Sequence, residues 1–297
     1  MGDIFRVSKL YFYETHLHTV EASACARCPG ADYPALYKEM GYAGFFVTDH
    51  FFNGNSGVPR DLPWEERIDM YCSGYEHARE AGEKIGIDVF FGLEVNFQGD
   101  EYLLYGPDKE WLKAHPDIMV WSHAELREQV HAIGGVMIQA HPYRDRDYLT
   151  AIRMHPHHAD AFEGYNAGNR DYSDQYAYAY ASQNGIKMTS GSDIHRITDF
   201  ERTRPGGTAF ASKITSSRDY ASRILHAARS IPVFGCEDGS HVLKDYDLTA
   251  DEYAFVTYND RIHPDKNQQF TKPFVITDEN GVERPATPAS TIDWSRE

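Results

Sequence analysis

The stretch KLYFYETHLH, residues 9–18, decides how the fold is read. An apolar and aromatic run over residues 10–13 gives way to polar residues and ends on His16 and His18. In an extended chain, residues i and i+2 point to the same face, so both imidazoles can reach one point. The same pattern recurs down the chain. YAGFFVTDH (42–50) ends on Asp49 and His50, and IDVFFGLEVN (87–96) carries Glu94 near its end. VMIQAHPYR (136–144) runs into His141, and IKMTSGSDIH (186–195) ends on Asp193 and His195. Each reads as a buried strand with donor side chains at its C-terminal end.

Segments of helical spacing lie between the strands, over residues 33–41, 63–86, 122–135, 173–185 and 216–230. Further short strands are expected over 101–106, 159–166 and 231–235. Strand and helix in alternation predict a parallel α/β fold. In parallel barrels the C-terminal strand ends carry the active site, which is where these donors fall. Residues 240–297 lack the alternation, although FVITDENGVER (274–284) predicts a hairpin about Asn280-Gly281. The expected organisation is a barrel over 1–239 with a C-terminal appendage over 240–297 packed on it.

The chain has 297 residues, with 29 Lys and Arg against 45 Asp and Glu, for a net charge of −16. That balance argues against a protein that coats a nucleic-acid backbone, which needs a basic stripe. It does not exclude a small phosphorylated substrate, because bound metal ions reverse the local sign. No apolar run approaches the roughly 20 residues of a membrane helix. The N-terminus lacks the apolar core of a signal peptide, so a cytoplasmic protein is expected. The four cysteines include a lone C-x-x-C, Cys25 and Cys28, with Cys72 and Cys236 isolated. They read as reduced thiols rather than a zinc site.

Histidine stands out, with 15 residues. Seven donors follow the strand pattern: His16, His18, His50, Glu94, His141, Asp193 and His195. Of the adjacent pair Asp49-His50, His50 is expected to face the site, with Asp49 orienting an imidazole. Mixed imidazole and carboxylate donors suit Zn, Mn or Fe better than Ca or Mg. Seven donors exceed one tetrahedral ion, so two or three divalent ions are expected. Arg144 and Arg196, close after His141 and His195, are the candidate phosphate-binding cations. His77 reads as a helix residue, and His155, His157 and His158 as a solvated loop. His123 is given no metal role.

The order of motifs, H-x-H, T-D-H, a lone Glu after a strand, A-H-P and G-S-D-x-H, resembles the PHP (polymerase and histidinol phosphatase) family of metal-dependent phosphoesterases. The likeness spans about residues 10–200. It implies a distorted seven-stranded β/α barrel with a trinuclear site at the C-terminal rim. It implies His16, His18, Glu94 and Asp193 around one ion, Glu94 and His141 at a second, and His50 and His195 at a third. Many members carry a further His or Asp at positions that here are Ser23 and Ala24, and a His where this chain has Tyr102. Glu21 and Glu101, beside these positions, are the candidate substitutes, with Asp49 a further candidate ligand.

The resemblance implies a phosphomonoesterase acting on a small nucleotide, sugar or histidinol phosphate. His16, His18, Glu94, Asp193 and His195 would be its catalytic residues, with metal-activated hydroxide as nucleophile. The alternatives are another metal-dependent hydrolase (a phosphodiesterase, a short-oligonucleotide nuclease or an amidohydrolase-like enzyme) or a non-catalytic PHP-like binding module.

Overall fold

The computed structural model describes residues 10–201, 204–235, 247–258 and 264–296. In chain order the elements are β1 (Tyr11–Glu14), α1 (Tyr33–Glu39), β2 (Gly44–Val47), α2 (Trp64–Ile85), β3 (Asp88–Phe97) and β4 (Asp100–Tyr105). Next come α3 (Lys109–Ala114), α4 (His123–Ala132), β5 (Val136–Gln139), β6 (Ile152–Met154), β7 (Ala161–Asn166), α5 (Asp171–Asn184) and β8 (Lys187–Gly191). The last are β9 (Thr208–Phe210), α6 (Ser217–His226), β10 (Arg229–Phe234), β11 (Glu252–Thr257), β12 (Phe274–Thr277) and β13 (Glu283–Ala286).

Local chemistry sets several of these ends. Ser122 and Glu125 form a reciprocal capping box that starts α4. Gly86, at φ 74°, closes α2 in the left-handed conformation that glycine adopts without penalty. Asp108 and Ser216 accept from backbone amides to open α3 and α6.

One ten-stranded sheet, in the order β10-β11-β9-β1-β2-β3-β4-β5-β7-β8, forms the body. It curls until β8 returns beside β10, where the Met188 amide donates to Ser230 Oγ at 3.1 Å. The result is a nearly closed, barrel-like wall. The parallel pairs β1-β2, β2-β3, β5-β7 and β7-β8 match the expected alternation.

The expected seven strands become ten. β4 is an antiparallel return of β3 through Gln98 and Gly99, both at positive φ. β9 pairs antiparallel with β1 and β11. β11, from the segment after 240, belongs to the main sheet and pairs with β10 along its whole length. The expected hairpin forms as β12-β13 and joins β6 in a second sheet of three strands. The boundary placed at 239/240 falls within 236–246, outside the described residues. Among the described residues, no helix is long and apolar enough to cross a membrane.

Tyr13, Phe46, Tyr105 and Phe210 are buried in one apolar cluster, and α6 lays Tyr220, Ala221 and Ile224 into it. Burying a large apolar side chain contributes about 1.5–3 kcal/mol, so this cluster gives the strands a rigid base. The donors sit beyond it, where the strands run out. α2 packs over the loop after His18. A Cβ on Gly74 would stand 2.0 Å from Thr19 Oγ1. Gly74→Ala is therefore expected to destabilise the protein by about 1–2 kcal/mol, because overpacking outweighs the gain in helix propensity. The midpoint of urea unfolding measures it. An unchanged or higher midpoint would contradict this packing.

Candidate metal centre

Each donor is carried past the end of a strand by backbone pairing that continues the sheet. Leu17 bridges Ile194 in parallel, and His50 bridges Glu94. The His18 amide donates to the Ile194 carbonyl at 2.8 Å. These bridges bring the ends of β1, β2, β3 and β8 together, while β4 and β5 bring Glu101 and His141. All seven donors expected from the sequence converge, and Glu101 joins them. His16, His18, Glu94 and His141 are buried, and Asp193 and His50 nearly so.

Glu94 is the hub. Its Oε1 lies 3.2 Å from His16 Nε2 and 3.1 Å from His141 Nε2, and its Oε2 lies 2.7 Å from His50 Nδ1 and 3.6 Å from His18 Nε2. Asp193 Oδ1 is 3.2 Å from His18 Nε2 and 3.5 Å from His16 Nε2. Glu101 reaches His141 Nε2 at 3.3 Å and His50 Nδ1 at 3.6 Å. His195 stacks on His18 with ring centroids 4.4 Å apart.

These donors fit divalent cations. His16 and His18 aim Nε2 at Nε2 across 3.1 Å. His50 Nδ1 and Glu94 Oε2, although close, are buried without a hydrogen-bond partner. Leaving such groups unpaired costs about 1–3 kcal/mol each, and a cation between them removes that cost. Two of the donors, His141 and Asp193, stand at φ 32° and 54°. L-residues seldom adopt this region, and such strain gathers at functional sites.

The charges are strongly coupled. Burial acts to raise the Glu94 carboxyl, but His50, His16 and His141 hold it well below the usual carboxylate range. Asp193 is likewise held low against burial, by His16 and Arg144. Burial, with the charges of His50 and His195, keeps His18 neutral, the form in which an imidazole binds a metal. Burial also works to lower His195, but Cys25 and Asp193 outweigh it and raise it to about 9. That ring is thus protonated near pH 7 in the metal-free protein and must lose its proton to bind an ion. Metal affinity is therefore expected to rise from pH 7 to pH 9, by about tenfold per pH unit for each proton released, since, against burial, neighbouring carboxylates hold His16 and His50 well above the usual imidazole range as well. Competition with a chromogenic chelator at the two ends of that range reads the slope. A flat or falling affinity would show that His195 does not lose a proton on binding.

The remaining candidates lie in differing surroundings. Among the described residues, Glu21 and Asp49 belong to no donor cluster. Glu21 accepts from the Gly30 amide and pairs with His77. Asp49 is buried and accepts from the Thr19 amide, Thr19 Oγ1 and Ser23 Oγ, each at 2.6 Å. Ser23 Oγ in turn lies 3.2 Å from His18 Nδ1, so Asp49 orients His18 through Ser23. Adjacent strand residues face opposite ways, which is why Asp49 and His50 part company. Tyr102 is turned from the cluster and donates to Asp100, while its neighbour Glu101 faces the donors. Arg144 lines the cavity over the cluster, and its Nη2 donates to Asp193 Oδ2 at 2.6 Å. Arg196 is exposed at an adjoining cavity and paired with Asp199 at 2.9 Å.

Sequence reasoning missed Glu163 in β7. It takes the His16 Nδ1 proton at 3.0 Å and the His141 amide at 2.8 Å, and Asn166 Nδ2 donates to it at 2.9 Å. A carboxylate inside the apolar run AFEGYN was the available signal. Cys25, expected to be a reduced thiol, lines the main cavity beside His50 and His195. Burial would raise its thiol, but these two imidazoles hold it at about 6. It stands next to Ala24, one of the positions at which the resemblance implies a further His or Asp.

No family model and no curated protein matches the sequence. Among solved structures, the chain is similar to a two-domain protein of Bacteroides vulgatus described as containing a "predicted PHP-like metal-dependent phosphoesterase". The identity is 16% over 72% of this chain and 63% of that one, at a TM-score of 0.51. The fold is PHP-like. This chain spans less than two thirds of that two-domain protein. PsfC of Pseudomonas syringae shows 16% identity over 72% of this chain and 88% of its own, at a TM-score of 0.48. An amidohydrolase of Chromobacterium violaceum shows 13% identity over 63% and 88%, at 0.42.

Proposed function

We propose that the protein is a metal-dependent hydrolase that cleaves phosphomonoesters of small metabolites. The observation that carries this reading is the convergence of eight donors, seven of them buried, with hydrogen-bond-orphaned atoms facing one another, beneath a cavity whose wall holds Arg144. Three groups are the proposed ligand sets: His16, His18, Glu94 and Asp193; Glu94, Glu101 and His141; and His50 with His195. When bound, divalent ions there would supply hydroxide near neutral pH and neutralise charge on the transferred phosphoryl group.

The chain's own residues supply the rest. The cavity of about 610 Å³ is of small-metabolite size. Asn53, Asn55 and Asn96 on its wall offer amides to substrate hydroxyls, and Tyr148 closes one side. Arg144 brings a fixed positive charge to the wall, where a phosphate oxygen can share it with Asp193. Glu163 holds the His16 Nδ1 proton so that Nε2 faces the cluster. Strong net acidity favours a small substrate over a long nucleic acid, and a cytoplasmic setting fits the reduced thiols.

The test is hydrolysis of p-nitrophenyl phosphate, bis-p-nitrophenyl phosphate and an N-acyl amide by protein stripped with chelator and reloaded with Mn or Zn. The expected result is metal-restored activity on the monoester above the other two. Preference for the diester or the amide would change the bond assigned. Bound ions with no hydrolysis at all would favour the binding-module reading.

A further inference from the structure

A second cluster of donors lies on the other face of β4 from the candidate metal centre. Asp100 opens β4, His123 opens α4 and His155 follows β6, and their ligand atoms lie within 4.8 Å of one another. Strand alternation sends Asp100 and Glu101 to opposite faces, so this cluster and the main one share a strand but no residue.

Asp100 Oδ2 is 2.8 Å from His123 Nε2 and 3.3 Å from His155 Nε2. The Tyr102 hydroxyl donates to the same oxygen at 3.1 Å. Asp100 and His155 are 6% and 4% exposed. The imidazoles of His123 and His155 stack at 3.9 Å, and Phe97 stacks on His123 at 3.9 Å, so the rings are held in place. Gln139 fixes the backbone at His155 by accepting from its amide and donating to the Arg153 carbonyl.

An ordinary Asp100–His123 ion pair does not account for His155. Its Nε2 faces a carboxylate oxygen without hydrogen-bond geometry, and both of its ring nitrogens lack partners, as does Asp100 Oδ1. His158 Nδ1, on a ring 6.5 Å from that of His155, is also buried and unpartnered. A tetrahedral zinc site with bonds of about 2.0–2.2 Å has ligand-to-ligand edges of about 3.3–3.6 Å. The 3.3 Å between His155 Nε2 and Asp100 Oδ2 matches that edge, while the 2.8 Å to His123 Nε2 is a hydrogen-bond distance that would lengthen by about 0.5 Å around an ion.

We propose that Asp100, His123 and His155 form a separate mononuclear site for a zinc-like divalent cation, with His158 a further imidazole close by. The ion ties the first turn of α4 and the end of β6 to β4, and so steadies the strand that presents Glu101 to the main centre. The proposal does not depend on what the main centre hydrolyses.

The test counts metal in the full chain, stripped with chelator and reloaded with Zn or with Co(II). His123→Asn/His155→Gln is expected to bind one equivalent fewer than wild type. In a Glu94→Ala background, which cripples the main centre, the Co(II) absorption of a four-coordinate site is expected to persist, and to vanish when the two histidines are also replaced. His123→Asn alone alters a partly exposed ring and is expected to weaken retention of that one ion by about tenfold or more. It keeps the test decisive should the double variant fail to fold. Equal metal content and equal Co(II) spectra in wild type and these variants would overturn the site. Metal counts are read without any activity, so loss of the hydrolase reading would leave this result intact.

Discussion

Glu94→Ala is expected to remove at least one bound ion per chain and to lower metal-dependent hydrolysis by about three decades or more. Among the described residues, Glu94 is the one carboxylate within 3.6 Å of four donor histidines, His16, His18, His50 and His141. A ligand so placed would serve more than one ion, and its removal would open more than one coordination shell. A metal contributes several kcal/mol to stabilising transition-state charge, and each 1.36 kcal/mol is about tenfold in rate. The deletion also leaves four imbalanced imidazoles in a buried space, so the variant is expected to repel cations it would otherwise hold. Elemental analysis and p-nitrophenyl phosphate turnover, measured on the same preparation, read both effects. Wild-type metal content with wild-type turnover would sink the assignment of the cluster as the metal centre.

The second large effect is expected at a residue that touches no ion. Glu163→Ala should weaken metal binding by about 10–100-fold and cost about 3–5 kcal/mol of stability. Glu163 fixes the tautomer of His16, because a proton on Nδ1 leaves Nε2 with its lone pair toward the cluster. The same carboxylate holds the His141 amide, and thus the left-handed turn that aims that ring. Its loss strands three buried donors at once: His16 Nδ1–H, the His141 amide and Asn166 Nδ2. Glu163→Gln keeps the volume and one acceptor oxygen. It is expected to recover most of the stability and less of the affinity, since an amide stabilises the polarised imidazole less than a carboxylate does. Chelator competition and urea unfolding separate the two effects. A Glu163→Ala protein that unfolds more easily but binds metal as tightly as wild type would make Glu163 a packing residue only.

Much of this site was readable along the chain, for a definite reason. His16, His18, His50, Glu94, His141, Asp193 and His195 each end an apolar run, and a run long enough to be a buried strand has its donor end at the barrel rim. Local order along the chain thus carried the identity of these residues and the parallel α/β class. Glu101 was legible only as one of two substitutes, because a gap in a motif does not say which neighbour fills it. The antiparallel turn of β3 into β4 decided for Glu101, while Glu21 was drawn off to Gly30 and His77.

Residues that act through others were legible only in part: Asp49 was expected to orient an imidazole, but neither the ring, His18, nor the route through Ser23 could be read. Ser23, Asp49 and Glu163 work by a hydrogen bond to a ring whose position depends on strands far away in sequence. The pairing of Asp100 with His123 and His155 is of the same kind. The three sit on a strand, a helix start and a strand end, and no spacing rule links them. His155 looked like a solvated loop residue until the packing of β6 against β4 buried it.

The sequence by itself determined the alternation of elements, the seven strand-end donors and the mixed histidine–carboxylate chemistry, because these follow from local periodicity and residue type. Only the tertiary structure decided the ten-stranded wall, the entry of β11 into it, the choice of Glu101, the support from Ser23 and Glu163, the route by which Asp49 reaches His18, and the cluster at Asp100. Those depend on which distant segments pair, and pairing is settled by the burial of whole strands and helices against one another rather than by any one stretch of chain.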